Sequence, residues 1–267
     1  MPIAFPPKSS QAQLPNVELL GLRVHAITED ECVAHVLAAL DDDRGGWVVT
    51  PNLDHLRRYQ CEPRFATACE RASLLVPDGR PLLWAAALQG TPLPGLVAGS
   101  NLISSLSEGA ASTEHTVFML GGDPGTAEEA GIMLAHQFPG LRIAGFHCPE
   151  FGFEKDPAAM RALGEQLATS GASIVFVALG SPKQEYVIDD LRASLPNAWW
   201  LGVGISFSFV TGAVKRAPRW MQRVGLEWLH RLIQEPGRLA RRYLIDGLPF
   251  AMRLLLRSAL TGLRRSR

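Results

Sequence analysis

Residues 47–79 read WVVTPNLDHLRRYQCEPRFATACERASLLVPDG, and the punctuation of this stretch decides the fold. Trp47, Val48 and Val49 form a short apolar run that stops at Thr50-Pro51-Asn52. Ser73 to Val76 form a second run, which stops at Pro77-Asp78-Gly79. Each has the pattern of a buried strand that breaks into a polar turn ahead of a helix. In open parallel α/β sheets, ligands sit just beyond the carboxyl ends of the strands. Thr50 and Asp78, 28 positions apart, therefore stand to face one cleft from two strand ends. A hydroxyl and a carboxylate held there are chemically useful. The same positions also suit plain helix caps, with Asn52 or Asp78 accepting from the first turn of the next helix.

Downstream the pattern repeats. His115 to Leu120 is an apolar strand followed by Gly121-Gly122-Asp123-Pro124-Gly125 and a helix from Thr126 to Phe138. Leu141 to Phe146 and Ile174 to Leu179 are further strands, and Trp199 to Val203 is the last. Helices are expected over 54–61, 63–72, from Pro81 to Gln89, over 101–108 and over 157–170. This alternation predicts an α/β fold: a Rossmann-like, mostly parallel sheet with helices on both faces. Upstream, Val17 to His25 is expected to be a small edge strand. Thr28-Glu29-Asp30-Glu31 has the capping-box form at the start of a helix.

With 267 residues and 47 % hydrophobic composition, the chain can build one large domain with an appendage. Residues 1–16, rich in Pro, Ser and Gln, are expected to be disordered. Residues 17–212 are the expected catalytic domain, and 213–267 a basic helical C-terminal appendage. No apolar run reaches the ~20 residues of a membrane span, and the N-terminus lacks a signal-peptide pattern. Cys32, Cys61, Cys69 and Cys148 have no metal-ligand spacing and fit reduced thiols of a cytoplasmic protein.

The net charge of zero conceals a split. Residues 1–210 carry 13 basic and 23 acidic side chains, whereas 211–267 carry 13 and 3. Such an arm fits an anionic partner: a phosphate, a membrane surface or a nucleic acid. Arg231, Arg238 and Arg241 would lie on one face if this stretch were helical, despite Pro236-Gly237. Guanidinium groups match phosphate oxygens in bidentate fashion. The turn GSPKQE places Lys183, Gln184 and Glu185 at a helix start, where anions are favoured and a glutamine amide can bond a sugar hydroxyl or a base edge. Asp41-Asp42-Asp43 has the form of a metal-binding Asp-x-Asp motif. It ends a helix before Arg44-Gly45-Gly46, however, and is better taken as a solvated helix terminus.

The segments TPNLDHL, VPDG with PLLW, VFMLGGDPG, FPGLRIAG, ALGSPKQE, GVG and KRAPRWMQRVGLEWLHRLIQEPGR resemble, in order, those of the WecG/TagA/CpsF family, glycosyltransferase family 26. They span about 50–242, most of the chain. The resemblance implies an inverting, metal-independent transfer of a sugar of N-acetylmannosamine or glucose type. The donor would be a UDP-sugar and the acceptor a polyprenyl-diphosphate-linked sugar. It places the enzyme peripherally on the inner face of the bacterial membrane, in wall or surface-polysaccharide assembly. No metal and no other cofactor is implied.

By motif, Thr50 and Asp78 match the family's catalytic pair, with Asp78 the candidate general base. Gln184 matches its donor-site glutamine. Arg231, Arg238 and Arg241 match the arginines of an appendage that closes over the donor diphosphate. Asn52 and Glu185 complete the expected substrate-binding set. The chain departs from the family pattern at Leu96, Asn101, Glu150 and Ser208, which leaves the sugar and the acceptor open. The expected partners are the donor, the lipid-linked acceptor and an anionic membrane surface, with a second copy of the chain possible through the C-terminal arm. The readings from other classes are a nucleic-acid-binding module, or a scaffold of polysaccharide assembly, using the basic arm. Neither gives the two polar strand ends or the GSPKQE turn a task.

Overall fold

The computed structural model describes residues 14–265, apart from the side chains of Arg219, Arg223 and Arg238. The expected N-terminal disorder falls mostly outside these residues; within them, the first strand already begins at Asn16.

The centre is a six-stranded, wholly parallel sheet made of β3 (Gly46–Val49), β4 (Leu74–Leu75), β5 (Thr116–Gly121), β6 (Arg142–His147), β7 (Ile174–Ala178) and β8 (Trp199–Gly202), in the order β4-β3-β8-β7-β5-β6. Alternate side chains feed two cores, because successive strand residues point to opposite faces. Trp47, Val49, Phe118, Val175, Val177 and Trp200 pack on one face. It is covered by α2 (Leu53–Cys61), α3 (Pro63–Glu70), α4 (Arg80–Leu88), α7 (Pro157–Ser170) and α8 (Lys183–Leu191). Val48, Val117, Met119, Ile174, Phe176 and Leu201 pack on the other. That face lies under α1 (Glu29–Asp41), α5 (Gly99–Ser112), α6 (Thr126–Gln137) and α9 (Ser206–Val210). The expected fold class is therefore the observed one, with burial on both faces explaining the continuous apolar runs.

Two local expectations are corrected. Residues 17–25 do not form one edge strand. They form a hairpin, β1 (Asn16–Leu19) and β2 (Leu22–His25), which is a separate antiparallel sheet. The reversal is Leu20-Gly21, at φ 49° and 86°, the positive-φ pair that a two-residue hairpin turn needs. The arginine stretch is also not one helix face. α11 (Glu227–Gln234) ends ahead of Pro236, and α12 (Pro236–Ala240) starts afresh. Proline has no N–H to donate and pushes the preceding residue out of the helical region; Glu235 sits at φ −131°, ψ 60°. After α12 come a π-helical segment (Arg241–Gly247) and α13 (Leu248–Arg265).

Asp41-Asp42-Asp43 ends α1, with Asp42 as its C-cap. Asp41 lies 3.2 Å from His115 and Asp42 lies 3.1 Å from Arg44. Among the described residues no three His, Cys, Asp or Glu side chains gather to hold a metal ion.

Candidate active site

β3 and β4 are neighbours in register, Val49 against Leu75, so their outgoing turns leave the sheet side by side. The turns are stitched together: the Asp78 N–H donates to the Pro51 carbonyl at 2.9 Å, and the Val97 N–H to that of Pro77 at 2.8 Å. Thr50 and Asp78 thus stand at adjoining strand ends. The structure also separates the two expected caps. Asn52 is the N-cap of α2, its Oδ1 accepting from the N–H groups of Asp54 at 3.0 Å and His55 at 3.2 Å. The N-cap of α4 is Gly79, at φ 112°, with no side-chain cap bond. Asp78 is therefore not a cap.

Asp78 is part-buried. Burial pushes its carboxyl up to about 6, helped by the negative charge of Glu227 and opposed by His55, Arg216 and Arg231. Such a carboxylate is ionised at neutral pH yet more basic than an exposed one, which is what proton abstraction asks of it. Thr50 is buried, and its hydroxyl makes no hydrogen bond among the described residues. The start of α5 crowds against it: a Cβ at Gly99 would lie 3.3 Å from Thr50 Oγ1 and 3.2 Å from the Gly202 carbonyl oxygen.

Gln184 and Glu185, expected to face substrate, are both buried and turned on the protein itself. The Gly204 N–H donates to Gln184 Oε1 at 3.0 Å, and Gln184 Nε2 donates to Glu185 Oε1 at 2.9 Å. The amide packs so tightly on β8 that a Cβ at Gly202 would come within 2.5 Å of Nε2. Glu185 Oε1 also lies 3.3 Å from His55 Nε2, and His55 Nδ1 lies 2.8 Å from Asn52 Oδ1. Burial alone would raise the Glu185 carboxyl; its contacts with His55 and Gln184 hold it below its usual range, while its Oε2 is buried without a partner among the described residues. The sequence analysis did not single out His55. Its one clue was its place three residues after Asn52.

The appendage reaches this cleft. Arg216 donates to Asn101 Oδ1 at 2.7 Å and pairs with Glu227 at 3.3 Å, tying the loop between α9 and α10 (Arg219–Val224) to α5 and α11. Asn101 in turn donates to Glu29 at 3.1 Å. Gly225, between α10 and α11, sits on Arg80 and Trp84 of α4. Arg231 lies on α11 and acts electrostatically on Asp78. Arg241 is exposed, and the Arg238 side chain lies outside the described residues. The arm's firmest anchor is its neighbour Arg242, which pairs with buried Asp54 at 3.0 Å. Arg57 and Arg58 meet the same carboxylate, at 3.0 and 3.1 Å, and together the three hold it below the usual range although burial opposes them.

α13 has two faces. Phe250, Leu254 and Ser258, at i, i+4, i+8, are buried against α4 and the core. A Cβ at Gly262 would run into the Leu88 carbonyl. On the outer side Leu248, Met252, Leu256 and Leu263, with Ile245 in the π-helical segment before α13, are each more than half exposed. No helix among the described residues is long and apolar enough to cross a membrane.

A hydroxyl and a carboxylate of raised pKa thus stand at adjoining strand ends of a parallel α/β sheet, with Arg231 near enough to act on the carboxylate. The chain belongs to the glycosyl transferase WecG/TagA/CpsF family, whose model matches residues 17–265. It is also 35 % identical, over 202 residues covering 76 % of each chain, to the N-acetylglucosaminyldiphosphoundecaprenol N-acetyl-beta-D-mannosaminyltransferase of Bacillus spizizenii strain W23.

Proposed function

We propose that this glycosyltransferase moves a sugar from a UDP-sugar to a polyprenyl-diphosphate-linked sugar, with inversion and without a metal, in the assembly of a bacterial envelope polymer. The activity for which the Bacillus relative is named favours N-acetylmannosamine as the sugar and an N-acetylglucosaminyl-diphospholipid as the acceptor. The observation that carries the mechanism is Asp78: part-buried, not engaged as a cap, raised to about 6, and beside Thr50.

In this reading the acceptor hydroxyl oxygen attacks the donor's anomeric carbon as the bond to the β-phosphate oxygen breaks. Its proton passes to Asp78 and the bonding pair leaves with UDP. General-base help of this kind is worth ~10²–10⁴-fold. Thr50 orients donor or acceptor through its free hydroxyl. Arg231, with Arg238 and Arg241, offsets charge on the departing diphosphate, the task a metal would otherwise perform. Among the described residues Arg231 has no carboxylate partner, which keeps its guanidinium available. The amide Nδ2 of Asn52, not used in capping, faces substrate, while Gln184 and Glu185 shape the floor beneath it.

The outer face of α13 then rests in the interface of an anionic leaflet, holding the enzyme where its lipid-linked acceptor resides. Arg253, Arg257 and Arg264 lie to one side of its apolar stripe, and basic residues near such a surface contribute about 1 kcal/mol each. A nucleic-acid reading is less supported, because Arg216 and Arg242 are already engaged inside the protein. Release of UDP dependent on the acceptor, with a disaccharide-diphospholipid product by mass, tests the proposal. UDP release indifferent to acceptor would overturn it.

A further inference from the structure

The chain of polar contacts through His55 has a fixed direction. At one end the N–H groups of Asp54 and His55 point at Asn52 Oδ1, which must therefore be the oxygen of the amide and not its nitrogen. At the other end the Gly204 N–H points at Gln184 Oε1, which leaves Nε2 to donate to Glu185 Oε1. Backbone donors thus make both of the ring's neighbours acceptors. The ring has Asn52 Oδ1 at 2.8 Å from Nδ1 and Glu185 Oε1 at 3.3 Å from Nε2. A neutral imidazole donates from one nitrogen only, so it would leave a lone pair facing an acceptor in a buried site. An imidazolium donates from both.

We propose that His55 stands as an imidazolium clamped between Asn52 and Glu185, and that it is a positioning residue joining the β3–α2 turn to the β7–α8 turn. The pairing explains how Glu185, 3 % exposed, remains a carboxylate. It also ties the turn that carries Thr50 and Asn52 to the turn that carries Gln184. Asn52 in turn abuts Gly79, next to Asp78, its Cβ 3.8 Å from where a Cβ at position 79 would stand. Other groups face this pair. Phe65 of α3 packs on the ring at 5.6 Å between centroids, and Cys69 of α3 feels the Glu185 charge. Asp78 feels His55, Arg216 and Arg231 as positive and Glu227 as negative. A fixed charge at His55 favours the ionised form of Asp78, so its loss moves the titration of Asp78 toward higher pH.

The direct test is ¹⁵N NMR of the imidazole rings in the full-length protein, with His55 assigned by its disappearance in His55→Gln. Two protonated-type nitrogens at pH 7 are expected, reverting to one in Glu185→Gln. One unprotonated nitrogen in the wild type at pH 7 would overturn the inference, whatever the enzyme's substrate. The kinetic arm rests on the proposed transfer reaction. His55→Gln should move the acid limb of the rate profile up by about one pH unit, the usual effect of losing an opposite charge nearby. A limb that stays in place while the rate falls would mean a purely structural histidine. If His55→Gln does not fold, Glu185→Gln carries both measurements: the one ring that changes from two protonated-type nitrogens to one is then His55, and the acid limb should move up as the ring's charge is lost.

Discussion

Asp78→Asn separates stability from activity, and its size follows from the site. The folded protein holds the Asp78 carboxyl at about 6 against 3.8 for the free group. A carboxyl raised in the folded state favours the protonated form, so ionising it opposes folding. The penalty is small below pH 4, grows as the pH rises between the two values, and is complete above about 7. Two pKa units at 1.36 kcal/mol each put the full penalty at about 3 kcal/mol. Asparagine has no charge to bury. The variant should therefore be more stable than the wild type by about 3 kcal/mol at pH 7–8 and by about 1 kcal/mol near pH 4.5, while transferring sugar at least ~10²-fold more slowly. Urea unfolding of both proteins across this pH range reads the gap directly. A gap that does not change with pH would refute the argument that Asp78 is a strained, buried charge. Unchanged turnover would refute its role as base.

Other substitutions separate the remaining parts of the site. Thr50→Val keeps the shape and removes the hydroxyl; transfer should fall about tenfold with little change in unfolding midpoint, as for loss of a single hydrogen bond in the bound state. Arg231→Gln should lower kcat/KM about 10–100-fold without weakening the fold, read by steady-state kinetics. Activity should survive EDTA; full loss restored by magnesium or manganese would revive Asp41–Asp43 as ligands. For α13, truncation is a poor probe because the helix is part of the core: Leu254→Ala alone should cost about 2–5 kcal/mol in chemical unfolding. Met252→Ser with Leu256→Ser leaves that packing in place and should abolish co-sedimentation with anionic vesicles. Retained vesicle binding, or a soluble dimer that the pair converts to monomer, would mean that the outer face meets another protein surface.

What the sequence disclosed follows from which forces are local. Strands buried on both faces are short uninterrupted apolar runs, and each ends where the backbone meets polar turn residues, so Trp47–Val49, Ile174–Leu179 and the turns after them stood out. The hairpin did not, because its reversal puts Leu20 at positive φ, a position where glycine or asparagine is the usual signal. The inward turn of Gln184 and Glu185 was hidden for another reason. Their partners, Gly204 and His55, are distant in sequence, and only the tertiary fold turns those side chains inward. In the arm, composition marked the arginines but not their directions. The break at Pro236 and the wider π turns after Arg241 rotate the register, so that Arg242 and not Arg241 reaches Asp54.

Transfer to a lipid-linked acceptor is read most plainly by mass analysis of the product. The purified full chain would be incubated with UDP-N-acetylmannosamine, or in parallel other UDP-hexoses, and an N-acetylglucosaminyl-diphosphopolyprenol. One added sugar residue on the lipid is expected, an N-acetylhexosamine from UDP-N-acetylmannosamine, β-linked if the donor is α-linked, with stoichiometric UDP and at least ~10²-fold slower product formation by Asp78→Asn. Absence of lipid-linked product with every UDP-hexose, from a folded protein, would contradict the proposed transfer.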